Sequence, residues 1–488
     1  MSSAHNIFDL WPVPSLPPTP LAPNRLPGTS PQSTEKLREL LRINHENWHT
    51  FYDEMGRHNH ISHHLLALWS MGADAEILQK GYDLHVQLQK PKGDPKEAIT
   101  KENFVDHLAD RSYYKAYVDF FTKVVSEKGG VAALEEYLFS DEMNLQDFNE
   151  NREVPEMLDH FHSGILHPLI HVGGGVEFGL PGMIVEGLAE TAVNSAGNKH
   201  IVPRAMFEYH SEREGVHALN ILARVYQDGS LSVNEKLLTE VKDDMAASLL
   251  QYALNWLPDL HPSLELAQEK VGELEWASTI MYAIPGFKAG EDFNADFVAM
   301  HLVTSSLFLS SLVASLSPRS RALLLRTQLA QCLLVWTRLG KPKLDIAGFY
   351  AADTAHPNTL NISLSPPAPS KFALPSSTSP LAVNPNPWFF ILRQALVHPD
   401  DHVSKTIRTL NHYATKYGTV PAGYFGETAK ELEGADKLDG TLFVRAAGLT
   451  VNRLAREVEE LPPYHTFWDR RTFKEGGEKD IFAIFDIK

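Results

Sequence analysis

Four pairs of histidines stand four residues apart in this chain: His45/His49, His60/His64, His167/His171 and His398/His402. Residues at that spacing share one face of an α-helix, and a neutral imidazole is a ready ligand for a transition metal. Of 23 histidines, six lie between His45 and His64 and four between His160 and His171. Random placement would give roughly one such pair. The pattern therefore asks for a helical frame that gathers imidazoles.

The rest of the sequence agrees with that frame. After Ser33, Leu37, Leu40, Leu41 and Asn44 recur at helical spacing, predicting a helix that Gly56 ends. A second helix should begin near Asn59, carry His60, His63 and His64 in its first turns, and stop at Gly72. Similar periodicity marks 111–126, 153–170, 183–195, 232–256, 263–281, 296–316, 319–338, 402–417 and 438–459, while strand-like alternation is scarce. The expected fold is all-α: one large helical bundle over residues 33–488. Eight prolines between residues 11 and 32 predict an extended arm in front of it, which Ile7, Phe8, Leu10 and Trp11 can anchor. The Pro-, Ser- and Asn-rich stretch within 353–387, running on to Trp388, reads as a long loop or flap.

Charge and composition exclude several classes. With 61 acidic against 44 basic residues and a net charge of −17, the chain lacks the basic surface that nucleic-acid binding requires. The longest apolar stretch, His301 to Leu316, is shorter than a membrane span of ~20 residues and rich in hydroxyls, so it reads as a buried helix. No secretory-type leader stands at the start, and the single cysteine, Cys332, lies in an apolar run where core packing is its expected role. A cytosolic protein is the expectation.

The most specific segment is FHSGILHPLIHVGGGVEFGLPG, Phe161 to Gly182. Pro168 demands a kinked or starting helix, and Gly173, Gly174 and Gly175 permit a tight turn with backbone close to a ligand. A dinucleotide fingerprint fails because Phe178 stands where its third glycine belongs. The HTFW run from His465 to Trp468 matches part of a flavin monooxygenase signature without the surrounding nucleotide folds. A di-iron site would need two Glu-x-x-His motifs with further glutamates; Glu46/His49 and Glu214/His217 match the motif, but the supporting glutamates are not evident.

The strings HNHISHHLLALWSMGA (His58 to Ala73), HSGILHPLIHVGGGVEF (His162 to Phe178), DFVAMHLVTSS (Asp296 to Ser306) and DDHVSKTIRTL (Asp400 to Leu410) together resemble the questin oxidase-like family. These are fungal enzymes of aromatic polyketide pathways. The resemblance implies oxidative opening of an anthraquinone ring, either by a non-haem iron dioxygenase or by an NADPH-dependent Baeyer-Villiger oxidase. In the iron version, four histidines and a carboxylated lysine hold Fe(II). Carried onto this chain, those ligands are His60, His167, His171, His301 and Lys405, with His58, His63 and His64 competing for the place of His60. His64 and His402 are expected beside the ligands, orienting them or the substrate. Trp69, Phe161 and Phe178, with Trp48 and Phe51, are candidates for stacking on a flat aromatic polyketide that meets dioxygen in an apolar cavity. A homodimer is compatible with this reading, and a non-catalytic polyketide- or metal-binding helical protein is the rival from another class.

Overall fold

A computed structural model of the chain describes residues 9–95, 97–146, 154–195, 201–231, 243–352, 371–372, 374–379, 382, 384–455 and 467–469. Among the described residues there is no sheet. Extended pairing is confined to isolated bridges of Trp48 with Pro91, Phe51 with His58 and Asp296 with Asp469. In chain order the helices are α1 (Pro31–Asn47), α2 (Ile61–Ser70), α3 (Ala75–His85), α4 (Tyr114–Lys128), α5 (Gly130–Leu138), α6 (Glu142–Leu145), α7 (Met157–Phe178), α8 (Pro181–Val193), α9 (Arg204–Glu208) and α10 (Ala218–Gln227). They continue with α11 (Asp243–Trp256), α12 (Leu264–Gly286), α13 (Phe297–Ser306), α14 (Leu309–Ser315), α15 (Pro318–Arg338), α16 (Ile346–Ala351), α17 (Pro387–Val397), α18 (Asp401–Tyr417) and α19 (Leu442–Leu454). The chain is all-α, as its periodicity predicts. Residues 1–8, most of the 353–387 loop, the 232–242 part of one expected helix and the His465–Thr466 half of the HTFW run lie outside the described residues.

Local chemistry sets the helix starts. Ser30, Asp74, Ser263, Asp296, Ser317 and Asp400 each accept a backbone N–H of the first turn, an interaction worth about 1 kcal/mol. Two boundaries differ from expectation. α1 ends at Asn47, nine residues before Gly56, because Trp48 turns extended (φ −112°, ψ 145°) and bridges to Pro91. The 296–316 run is two helices, α13 and α14. Together they form an apolar stretch, Phe297–Ser315, long enough by composition to cross a membrane, but 94% of it is buried inside the protein. Cys332 is fully buried, as expected of a core residue.

The glycine run overturns its sequence reading. Gly173, Gly174 and Gly175 form no turn; they lie inside α7 and are buried. A Cβ on Gly173 would come within 2.4 Å of the Phe308 side chain, and one on Gly175 within 2.7 Å of Ile184. Gly187 of α8 meets Val172 of α7 in the same way, at 2.6 Å. Gly175 and Gly187 therefore let α7 and α8 lie close as an antiparallel pair, while Gly173 admits the Phe308 side chain. That pair packs against α2, α4, α5, α13 and α14, while α18 joins α2, α13, α17 and α19.

The arm is fixed to the body over its described length. Trp11 is buried in a second apolar cluster with Leu37, Leu41, Trp69, Phe178 and Met183. Main-chain bonds from Gly182 to Leu10 (2.9 Å), Ser15 to Phe178 (2.9 Å) and Leu26 to Ser70 (2.8 Å) pin it along α2 and the α7–α8 turn. Arg25 lies over the rings of Trp69 (4.7 Å) and Phe178 (5.7 Å).

Gly187→Ala tests the close packing. Alanine gains about 1 kcal/mol in intrinsic helix propensity, yet the collision with Val172 should lower net stability by about 1–3 kcal/mol, read as a lower urea midpoint with unchanged slope.

Candidate metal centre

Four helices deliver histidines to one buried point. His60 stands at the N-cap of α2 with φ −95° and ψ 1°, not within the helix. Its place is set by Asn59, whose side chain donates to Asn44 Oδ1 (2.9 Å) and accepts from Ile61 N–H (3.0 Å), while Asn44 in turn donates to Ser62 (3.1 Å). His167 follows a break in α7: Ser163 is extended, and Gly164, Ile165 and Leu166 all have positive φ, at 57°, 54° and 66°. Non-glycine residues pay for that conformation with strain of about 1–2 kcal/mol each. Helix resumes at His167, and Pro168 sits in its first turn, where its missing N–H costs nothing. His301 comes from the middle of α13, and His402 from the first turn of α18.

Each ring is held by its Nδ1. That of His167 bonds to the Gly164 carbonyl (2.5 Å), freed by the break, and that of His301 to the Phe297 carbonyl (2.7 Å). That of His402 bonds to Asp400 Oδ1 (3.1 Å), and that of His60 lies 2.7 Å from Asp401 Oδ2. Trp468 Nε1 also donates to Asp400 (3.0 Å), which gives the described half of the HTFW run a structural task. An oxygen acceptor at Nδ1 fixes the proton there and leaves a lone pair on Nε2. Ring nitrogens of His60, His167 and His402 lie within 4.8 Å of one another. The His301 ring is 5.0 Å from that of His167 and 5.3 Å from that of His402, and its buried Nε2 has no hydrogen-bond partner among the described residues.

The decisive contact is His60 Nε2 to His167 Nε2, at 2.7 Å. With both Nδ1 atoms protonated toward their acceptors, two lone pairs face each other, an arrangement that needs a cation between or beside them. A proton is a poor candidate. Burial pulls the pKa of His167 down to about 3, and burial, followed by the charge of Lys405, pulls that of His60 well below its usual value. Burial does the same to His301. Neutral imidazoles with converging lone pairs and acceptor-anchored Nδ1 atoms fit a divalent transition metal.

The other predicted residues divide. Lys405 is buried on the same helix face as Asp401, with Nζ 3.4 Å from Asp401 Oδ2; burial lowers its pKa against the pull of Asp401 and Asp400. His171 does not reach the cluster, because both its nitrogens are engaged elsewhere: Nε2 with Glu186 (2.7 Å) and Nδ1 with His63 (3.0 Å). His64 points the other way, to Ser404 Oγ (2.9 Å) and an outer groove. His58 stacks on His167 (4.2 Å) with Nε2 3.3 Å from Glu190. Of the Glu-x-x-His histidines, His49 bonds the Arg111 carbonyl and His217 accepts from Leu219 N–H, while Glu46 and Glu214 are exposed.

A narrow, mostly apolar cavity is lined by His63, Phe178, Thr304, Phe308, Lys405 and Arg408 among others. Phe178 is thus a cavity wall. Trp69 stands behind it, edge-on at 6.1 Å, and Phe161 packs against Phe139 in the main core. Trp48 donates to the Tyr82 hydroxyl, and Phe51 packs at a tilt against His49 and His58. Arg408 pairs with buried Glu177 and lies 5.1 Å from the Phe178 ring, which Arg25 of the arm also contacts. Sequence reasoning did not single out Asp400, Glu177, Glu186, Glu190, Thr304, Phe308 or Arg408; the i,i+4 spacing of Glu186 and Glu190 is the one signal that pointed at any of them.

A family model described as questin oxidase-like matches residues 57–410. Relatives include the oxidoreductase AflY of Aspergillus parasiticus, 30% identical over 335 residues, 64% of each chain. The Baeyer-Villiger oxidase ptaJ of Pestalotiopsis fici is 28% identical over 57% of this chain and 63% of its own. The questin oxidase of Aspergillus terreus is 24% identical over 77% of this chain and 79% of its own. The chain thus spans a little under two thirds of the length of the first two.

Asp296, which caps the His301 helix, gives a test of this scaffold. Burial raises its carboxyl pKa to about 7 against its N–H bonds from Ala299 and Val298, and Asp469 adds to the rise. A raised carboxyl pKa means the folded state holds an extra proton between the unfolded value and about pH 7, so stability falls as pH climbs through that window. Asp296→Asn keeps a capping oxygen without the ionisation. Its melting temperature should gain on wild type between pH 5 and pH 8.

Proposed function

Because this chain belongs to the questin oxidase-like family, we propose that it is a non-haem iron oxygenase that opens a ring of a hydroxylated anthraquinone-type polyketide. The observation that carries the reading is the convergence of imidazole lone pairs, with His60 Nε2 and His167 Nε2 only 2.7 Å apart. His60, His167, His301 and His402 would hold the metal. Bound Fe(II) supplies a redox centre at which dioxygen and an electron-rich aromatic ring can react.

The chain's own residues do the rest. Asp401 and Asp400 orient His60 and His402, and the Gly164 and Phe297 carbonyls orient His167 and His301. Phe178 and Phe308 flank a flat ligand in the cavity, and Thr304 places a hydroxyl there. As an ammonium, Lys405 would repel a metal. Its burial favours the neutral amine, which can take up carbon dioxide with loss of a proton and so present a carbamate oxygen.

The names of several relatives favour one competing account, a Baeyer-Villiger reaction, for which the sequence resemblance implies NADPH. Protein purified without chelator should contain one tightly bound metal per chain, predominantly iron, and should consume dioxygen with a hydroxyanthraquinone in the absence of NADPH. Full activity in metal-free protein, or stoichiometric NADPH oxidation during ring opening, excludes the iron reading. His167→Ala and His301→Ala should each lose the metal while retaining the far-UV helical spectrum. Lys405→Ala should lose activity, and bicarbonate should speed reconstitution of the wild type but not of this variant.

A further inference from the structure

A second set of buried groups runs from the cavity toward the surface without passing through the four converging histidines. It starts at His63, which lines the cavity and whose Nδ1 has no hydrogen-bond partner among the described residues. His63 Nε2 lies 3.0 Å from His171 Nδ1. His171 Nε2 lies 2.7 Å from Glu186 Oε2, and Glu190 Oε2 is 3.8 Å from His171 Nδ1. Glu186 Oε1 is 2.8 Å from Nδ1 of His45, whose side chain is 12% exposed beside Trp11 of the arm.

One carboxylate dictates every proton in this row. The Glu186 anion can only accept, so His171 must carry its proton on Nε2. A neutral His171 then offers a lone pair on Nδ1, which accepts from His63 Nε2–H. His63, neutral in turn, is left with a lone pair on Nδ1, the atom without a partner. Electrostatics favour His171 over His63 as the place where an added proton comes to rest. Burial, followed by the charge of His171, holds the pKa of His63 well below its usual value, whereas at His171 the bond to Glu186 and the charges of Glu186 and Glu190 outweigh burial and raise it. Glu186 itself is held down to about 2, its bonds to His171 and His45 overcoming burial.

We propose that His63 is the base that takes the proton from a phenolic hydroxyl of the ligand in the cavity, and that His171, clasped by Glu186 and Glu190, holds that proton. The step balances without a redox partner. The ligand O–H bond breaks and an N–H bond forms at His63 Nδ1; His63 Nε2–H breaks and an N–H bond forms at His171 Nδ1. The products are a phenolate, the electron-rich form of the ring, and an imidazolium between two carboxylates. His63 ends neutral with its proton on the other nitrogen, and His45 links Glu186 to the solvent side. This inference rests on the hydroxyanthraquinone reading for its ligand class but not for its geometry.

Two measurements separate the two ideas. In protein as purified with ¹⁵N-labelled histidine, long-range proton–nitrogen spectra should show His63 and His171 each protonated on Nε2 at rest; His63 protonated on Nδ1 overturns the relay, whatever the ligand. The second measurement adds 1,8-dihydroxyanthraquinone under argon, since this quinone shifts its visible band to longer wavelength on losing a proton. Wild type should bind it as the phenolate. His63→Gln should bind it with similar affinity but as the phenol, and Glu186→Gln should lower the phenolate fraction roughly tenfold. Turnover in His63→Gln should fall roughly 100-fold. An unchanged phenolate band in His63→Gln overturns the proposal. If the quinone fails to bind wild type while the resting protonation pattern is as stated, the substrate reading fails and the relay stands. Circular dichroism of both variants checks that neither result comes from unfolding.

Discussion

Lone pairs brought together in a dry interior repel, and this fold spends much of its design on bringing several together. Each converging imidazole is fixed by an oxygen behind it, and those oxygens come from three separate elements: Asp400 and Asp401 at the start of α18, a carbonyl in α13, and a carbonyl released by the break in α7. Deep burial then keeps the rings neutral, because a charged imidazole would lose its hydration. Neutral, pre-oriented and facing one another, they are arranged for a metal ion that none of the helices holds by itself.

The break in α7 explains much of the local oddity. Three consecutive residues at positive φ, two of them the bulky Ile165 and Leu166, are an expensive way to interrupt a helix. They turn the Gly164 carbonyl to His167 and let Pro168 restart the helix without a lost bond. Beyond the break, the same helix needs to lie close to α8, where Glu186 and Glu190 meet His171 from the neighbouring helix face. Gly175 and Gly187 make that approach sterically open. One helix thus serves two polar rows, the metal-facing one through His167 and the carboxylate-facing one through His171.

The proline-rich arm belongs to the same construction. Arg25 from the arm and Arg408 from α18 both lie against the Phe178 ring, and Phe178 walls the cavity. Glu177, buried next to that ring, pairs with Arg408; burial raises its pKa while Arg408 pulls it back. Cation–aromatic contacts and a buried ion pair keep a flat hydrophobic wall in place without filling the cavity with side chains.

The sequence by itself determined the helical class and most helix positions, because apolar periodicity acts locally: α15 and α18 begin within one residue of the 319 and 402 that periodicity predicts. It also determined that histidines gather, and that Cys332 is core. It could not determine which histidines meet. Spacing of four implies a shared face only within one helix, and here His49 has left α1, His60 sits before α2 begins, and a kink separates His167 from the strand of contacts that would have set its partner. His167 and His171 do share a helix, but they lie one turn apart along its axis, and His167 meets His60 while His171 meets Glu186. Glu177 and Arg408 carried no local signal, since a buried charge reveals itself only through the partner that three-dimensional packing brings to it. Local propensity is encoded in neighbours along the chain; ligand convergence is decided by where four distant helices cross.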